Sequence, residues 1–510
     1  MSEFQPIFQY IVEGRTRDLE ALIRQLQKPL RFIKDTTGYT LIHFAVLNEK
    51  EEIINLLVQH EKGLPGTPAN EVTDWVNSLS PDGYTAFHLA ISKGNFSIVK
   101  LLTLLGADVD IKTPLGLGSL HLAAQGDFAH LISYFSEIGL SVMECDSKGG
   151  TPLHWAAYMG AYYATSVLMA LQAPINCQDH DGHTPLHLAV LSANNRVVRL
   201  LLLKGADRAI KDSRDRTPME IAKENQSNEL IDMLKPEGIL EKTGYRPLLK
   251  PYKRTAFPFY FVLCLIIVTL ALIILFCVQY NYYLSYFFTA TSVSAILLMI
   301  FLVNSNPGYI TRPKGIKLSY LYQTYKYSEI CPDCVILRPA RSRHCHYCDK
   351  CVQKFDHHCQ WVNNCIGARN LGWFYSFISL LWLSVGLSIA ISIEVFIGHE
   401  TDRGIEDSPY EISLIVASFT GFLSVLTLVP VSYLFITHTK NFCENQTTSE
   451  RFSKGSKFRG GKKEKSCFVK NCYSMCCNKE DDHSSKSSIV TTSSKQMDDY
   501  HMILEESGTK

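Results

Sequence analysis

Four segments read GYTAFHLAI (83–91), LGSLHLAAQ (117–125), GTPLHWAAY (150–158) and HTPLHLAVL (183–191). Their histidines, His88, His121, His154 and His187, fall 33 residues apart, and Glu220 of RTPMEIAKE (216–224) takes the next slot. GYTLIHFAV (38–46) stands before them, with His43 45 residues ahead of His88, so an insertion is expected near residues 61–78. Self-similarity at a fixed period of this length marks a solenoid. Each unit is too small to bury a core alone, and stacking supplies the core.

The period and the T-P-L-H-x-A core resemble the ankyrin repeat. The resemblance implies two short helices per repeat over residues 35–237, with GADVD (106–110) and GADRA (205–209) as turns into the next hairpin. It also implies that the repeat histidines start helices as hydrogen-bonded residues and bind no metal. Residues 1–34 are expected to cap the solenoid, with a polar-faced helix pair over 5–30.

Downstream the composition changes. Residues 255–311 contain no Asp, Glu, Lys or Arg, a run that only a bilayer requires. Gln279 to Tyr283 interrupt it, so it reads as two spans, about 257–278 and 284–303. Two more are expected near 373–397 and 412–436, with Pro430 kinking the last. Ten Lys and Arg lie in 304–372, and others precede the first span and follow the fourth, whereas 398–411 carries five acids and Arg403 alone. That asymmetry puts both termini and the 304–372 loop in the cytosol. The first 30 residues hold no apolar core of signal-peptide length. A net charge of +1 offers no argument for nucleic acid as a partner.

Seven of the 16 cysteines fall in CPDCVILRPARSRHCHYCDKCVQKFDHHCQWVNNC (331–365). Eleven side chains there suit zinc: Cys331, Cys334, His344, Cys345, His346, Cys348, Cys351, His357, His358, Cys359 and Cys365. Two closed tetrahedral sites need eight. Three are left over, and spacing alone does not say which; a leftover Cys beside a leftover His would be the reactive pair.

Asp356-His357-His358-Cys359 within C-x2-C-x9-H-C-x2-C-x2-C-x4-DHHC-x5-C resembles the Asp-His-His-Cys protein S-acyltransferase family. With the repeats, the chain is similar to its ankyrin-bearing branch, that of huntingtin-interacting protein 14 and the yeast Akr proteins. The resemblance implies an all-α chain: an ankyrin solenoid, then a four-helix transmembrane domain with a cytosolic zinc-binding Cys-rich loop. It implies one zinc on Cys331, Cys334, His344 and Cys351 and a second on Cys345, Cys348, His358 and Cys365, with His346 unassigned. Cys359 becomes the nucleophile, His357 its general base and Asp356 the group that orients the imidazole. The expected activity is transfer of a palmitoyl or other fatty acyl group from acyl-CoA to protein cysteines, by a ping-pong route through acyl-Cys359. Trp361, Trp373 and Phe374 are candidates to line the acyl entrance. The family's Asp-Pro-Gly appears as Asn306-Pro307-Gly308. Thr447-Thr448-x-Glu450 and Asn471 look like its two later motifs, and Cys476 and Cys477 are candidates for acylation.

The organisation expected is a cap (1–34), ankyrin repeats (35–237), a linker (238–255), spans one and two (256–304), the Cys-rich domain (305–372), spans three and four (373–437), a cytosolic motif region (438–479) and a disordered tail (480–510). Partners implied are acyl-CoA, the bilayer and the cytosolic faces of substrate proteins docked by the repeats. The family expectation for location is an endomembrane, Golgi or endoplasmic reticulum. The rival readings are a catalytically silent zinc-containing membrane scaffold and an ankyrin-bearing ion channel. The channel would want six spans and a pore loop.

Overall fold

The computed structural model describes residues 4–26, 29–64, 68–235, 256–401 and 408–452. It divides into Met1–Tyr252 with Arg312–Arg338, and Lys253–Thr311 with Pro339–Lys510. Asn471, Cys476 and Cys477 lie outside the described residues.

In the first unit two helices, Gln5–Glu13 and Thr16–Gln25, precede six stacked helix pairs. An extra helix, Ala69–Val76, fills the insertion and buries Trp75 and Val76. The repeat helices start where they do for a local reason. Thr151, Thr184 and Thr217 are N-caps followed by proline at the first helical position, where its missing N–H and fixed φ suit a helix start. Histidine stands where a capping box has Glu or Gln. The Thr85, Thr151 and Thr184 N–H groups donate to the Nδ1 atoms of His88, His154 and His187 at 3.0–3.1 Å. The other ring nitrogen reaches a carbonyl ahead: His88 to Ile111, His121 to Gly150, His154 to His183 and His187 to Arg216. Each histidine thus ties one repeat to the following loop. Glu220 closes the same box in the last pair through the Thr217 N–H at 2.6 Å.

Residues 312–338 belong to this unit, although sequence order places them in the Cys-rich loop. Helix Leu318–Thr324 and a hairpin of β1 (Ile330–Cys331) with β2 (Ile336–Leu337) pack on the repeats. Leu318, Leu321, Tyr322 and Ile330 enter the repeats' own hydrophobic core. Ser319 donates to Glu137 through its N–H and its hydroxyl, at 3.0 and 2.7 Å. Tyr327 bonds His130, and Lys204 pairs with Asp333 at 2.6 Å.

Among the described residues the second unit holds four helices long and apolar enough to cross a membrane: Phe257–Phe276, Tyr282–Asn304, Leu371–Gly398 and Glu411–Glu444. The helix holding the fourth span runs through Pro430 and on past the expected end at 436. Hydroxyls join the helices where water cannot: Ser388 with Ser424 at 2.9 Å, Ser384 with Thr291 at 2.9 Å, and Ser413 to the Phe276 carbonyl at 2.8 Å. Two further hairpins follow, β3 (Arg343–Cys345) with β4 (Lys350–Val352), and β5 (His357–Cys359) with β6 (Asn364–Ile366). The chain is mostly helical, and these short hairpins are its departure from an all-α reading.

Candidate active site and metal centre

The hairpins set the spacing of the Cys and His side chains. In the first unit Cys331 is buried on β1 and Cys334 half-buried in the turn after it. In the second, His344 and Cys351 face each other across β3 and β4, with Sγ 3.8 Å from Nδ1. Cys345, Cys348, His358 and Cys365 form a compact group, every ligand atom within 4.8 Å of the others. Sulfur-to-Nδ1 separations are 3.8, 3.4 and 3.6 Å, and Cys348 and Cys365 sulfurs stand 3.4 Å apart. A tetrahedral zinc with bonds of about 2.3 Å to sulfur and 2.0 Å to nitrogen spans edges of about 3.5–3.8 Å. The donor set and its spacing fit that ion. Tyr347 stacks on His358 at 4.4 Å between ring centres. His346 lies against His344, outside this group.

Cys359 is also outside it. The residue is 8 % exposed and belongs to an apolar cluster with Leu302, Phe374, Leu381 and Val431. His357, its neighbour on β5, bonds Asp356 through Nδ1 at 2.7 Å. Burial works against the charged imidazole, but the hydrogen bonds it makes to Asp356 and Cys359 outweigh it, and the His357 pKa is pushed up to about 10. Burial would likewise raise Asp356, which is 1 % exposed. The His357 hydrogen bond and charge overrule it and hold the carboxyl below its ordinary range. The second Asp356 oxygen accepts from the Thr448 N–H at 2.7 Å.

Above this group the spanning helices enclose a cavity of about 290 Å³, lined among others by Phe261, Ile266, Trp361, Leu381, Leu423 and Val431. Leu381 and Val431 belong to both the lining and the cluster around Cys359. Of the three entrance candidates, Trp361 is in the lining. Trp373 is not: it is 52 % exposed and stands edge-on to Phe301, an outward ring of the kind that sits at a membrane boundary. Phe374 is not in the lining either. It is buried edge-on against His357 at 5.3 Å, because its helix turns it toward the loop.

The site is tied to the membrane helices by amides. Asn306 Oδ1 accepts from the Gly308 and Tyr309 N–H groups at 2.9 Å, so an amide oxygen makes the turn that a carboxylate would. Asn364, on β6 opposite Cys359, donates to the Leu302 and Ser305 carbonyls at 2.9 and 2.8 Å, capping the second span. Asn370 links the Cys365 carbonyl to Ser305. Glu450 and Thr447 form a reciprocal cap on the helix Thr448–Phe452, and Arg341 grips Glu450 with two nitrogens at 2.7 and 2.9 Å.

Sequence reasoning missed Asn364, Asn370 and His438. The last lies in the fourth span, 2 % exposed, its ring 5.6 Å from that of His357. Its signal was available, since an ionisable residue in a membrane helix points by default to a functional site.

Comparison with known proteins agrees with this geometry. The DHHC palmitoyltransferase family profile matches residues 324–455, and ankyrin repeats match in three copies, at 9–113, 103–179 and 165–243. Human palmitoyltransferase ZDHHC14 is 34 % identical over 178 residues, covering 34 % of this chain and 35 % of that protein. Mouse palmitoyltransferase ZDHHC4 is 35 % identical over 170 residues, covering 32 % and 47 %. The chain thus spans about a third to a half of the length of the curated relatives it matches. The crystal structure of the ankyrin repeat domain of Bcl-3 aligns at a TM-score of 0.37 and 24 % identity, covering 46 % of this chain and 98 % of that one. Metal-fit hairpins, a Cys359 outside the metal-fit group and the profile match agree: this chain carries a DHHC palmitoyltransferase domain behind ankyrin repeats.

Proposed function

We propose that the protein is an S-acyltransferase that moves a fatty acyl group, palmitoyl first among them, from acyl-CoA to cysteines of other proteins. One observation carries this reading: Cys359 stands beside the Asp356–His357 pair, outside the metal-fit group and in the apolar cluster below a membrane cavity. An acyl chain gains about 0.8 kcal/mol per buried methylene, so a cavity among spanning helices is its natural seat.

His357 takes the Cys359 proton, and the sulfur attacks the thioester carbonyl carbon. A carbon–sulfur bond to Cys359 forms, the bond to CoA breaks, and His357 returns the proton to the departing CoA thiolate. In the second half His357 takes the proton of a substrate thiol, whose sulfur attacks acyl-Cys359. The acyl group leaves on the substrate, and the Cys359 thiolate recovers a proton from His357. One thioester replaces another, so neither half needs ATP. Asp356 keeps the imidazole oriented throughout.

Structural zinc supplies rigidity to the loop, one ion on Cys345, Cys348, His358 and Cys365 and one on Cys331, Cys334, His344 and Cys351. The hairpin pairing of His344 with Cys351 supports the second set. The repeats dock substrate proteins. Basic residues flanking the spans support cytosolic termini and loop, and resemblance to the family supports a Golgi or endoplasmic reticulum membrane.

The test is incubation of the purified full chain with palmitoyl-CoA, followed by mass spectrometry of the peptide holding residue 359. Hydroxylamine-sensitive acylation is expected there, absent in Cys359→Ser. A zinc-replete protein that takes up no acyl group would leave only the scaffold reading.

A further inference from the structure

His438 is an imidazole beside the catalytic pair that neither the reaction nor the proposed zinc sites above use. It sits on the fourth spanning helix at 2 % exposure, and its Nδ1 finds no hydrogen-bond partner among the described residues. A buried polar nitrogen without a partner costs free energy that a phenylalanine there would not, and a histidine in a bilayer-spanning segment adds to that cost. Phe374 stands edge-on to His438 at 5.2 Å and to His357 at 5.3 Å, so one ring walls both imidazoles. The His438 ring is 5.6 Å from His357, tilted 42°. Asp356, His357 and His438 each place a nitrogen or oxygen within 4.8 Å of the other two.

The two carboxylate oxygens of Asp356 accept one bond each, from His357 Nδ1 and from the Thr448 N–H. Each oxygen has room for a second donor. An N–H···O bond needs about 2.9 Å, so the ring nitrogen of His438 that lies within 4.8 Å of the pair has about 2 Å at most to travel. Catalytic hydrogen bonds are often long in a resting enzyme and tighten once substrate is in place.

We propose that His438 is a positioning residue for acyl transfer: its Nδ1 bonds the Asp356–His357 pair from the membrane side and keeps the His357 ring aligned on Cys359. Thr448 holds the same carboxylate from the loop side, so the pair is braced between the fourth span and the segment that follows it. His438 touches no reacting atom; it acts through its neighbours. The inference rests on the acyl-transfer reading above.

Three substitutions in the full chain test it. His438→Phe keeps an aromatic ring for Phe374 and removes the nitrogens. His438→Asn carries an amide at the place of Nδ1, and His438→Gln carries it at the place of Nε2. Single-turnover autoacylation with palmitoyl-CoA should slow about 10- to 100-fold in His438→Phe, the scale of a misplaced catalytic group. The KM for palmitoyl-CoA should stay within about twofold, since binding is not what the residue serves. His438→Asn should return to within about fivefold of wild type, and His438→Gln should not. Zinc content and thermal midpoint report folding, and if His438→Phe fails to fold, the contrast between Asn and Gln carries the test. A His438→Phe rate equal to wild type overturns the proposal, as do Asn and Gln variants that are equally slow. If the wild type takes up no acyl group, the proposed activity has failed, and alkylation of Cys359 by iodoacetamide reads His438 separately. Slower alkylation in His438→Phe supports the positioning role, and an equal rate overturns it.

Discussion

In the proposed reaction Asp356 is the residue on which the chemistry turns. Its carboxylate is 1 % exposed, and a buried charge survives only when paired and hydrogen-bonded. His357 and the Thr448 N–H provide both, and in return the carboxylate fixes which His357 nitrogen carries the proton at Asp356 and which is left for Cys359. Asp356→Asn keeps the size but offers a weaker acceptor and allows the wrong tautomer. Single-turnover acylation of Cys359 should fall by about 100-fold or more. Bound zinc should not change, because Asp356 is outside the metal-fit group of its hairpins. A rate within about threefold of wild type would remove Asp356 from the mechanism. The proposed trio could be named from the sequence once a resemblance said which eight of eleven candidates a pair of zinc sites takes. Counting alone left three residues open. That His438 stands out was legible, as an ionisable residue in a long apolar helix; which neighbour it meets was not, since nothing local encodes that.

At the scale of elements, repeats and spans could be read because their signals are long: a 33-residue period and a charge-free run of 57 residues. The strands of the Cys-rich loop could not, because each is two or three residues long and no alternation has room to show. Packing of the helix Leu318–Thr324 on the repeats was invisible for another reason. Ser319 meets Glu137 from 182 positions away, and no local pattern encodes that meeting. The hairpins yield a metal prediction. Cys348→Ser removes one ligand from the group on β3 to β6, and bound zinc should fall from about two ions per chain to one, by atomic absorption. Acylation of the untouched Cys359 should fall with it, because His358, between His357 and Cys359 on β5, loses its anchor. Full zinc in that variant would exclude the ligand set. The helix Thr448–Phe452 yields a second prediction. Glu450 is held below its ordinary range, burial being overcome by the Arg341 hydrogen bonds. Glu450→Ala takes the carboxylate from the half-buried Arg341, which keeps its bonds to Asn445, and removes the cap at the start of the helix holding Thr448; it should lower stability by about 1–3 kcal/mol in detergent-based unfolding. It should also slow acylation, since Thr448 positions Asp356; an unchanged rate would show that the Thr448 contact is dispensable.

On the scale of the whole molecule, the repeat histidines make the solenoid's stability depend on pH. His43, His88, His121, His154 and His187 are each at most 1 % exposed. Burial lowers each pKa from its ordinary value, only partly offset by the hydrogen bond to the carbonyl ahead. Folded, these rings stay neutral; unfolded, they take up protons below about pH 6.5. The unfolded state therefore binds more protons in that range, and stability rises with pH there. Above the ordinary histidine value both states are neutral and the effect vanishes. As pH falls from about 7.5 to 5.5, two repeats that open together should lose on the order of 1–3 kcal/mol of protection. Hydrogen exchange of the amides in residues 35–235, corrected for intrinsic exchange, reads this within the full chain. Glutamine at positions 121 and 154 is the matching control. It can fill the same capping-box position without titrating, as Glu220 fills it in the last pair, and the slope in those repeats should flatten. Protection that is level across this range in the wild type would mean that the rings are protonated in the folded repeats, which their bonds to the N-cap N–H groups forbid.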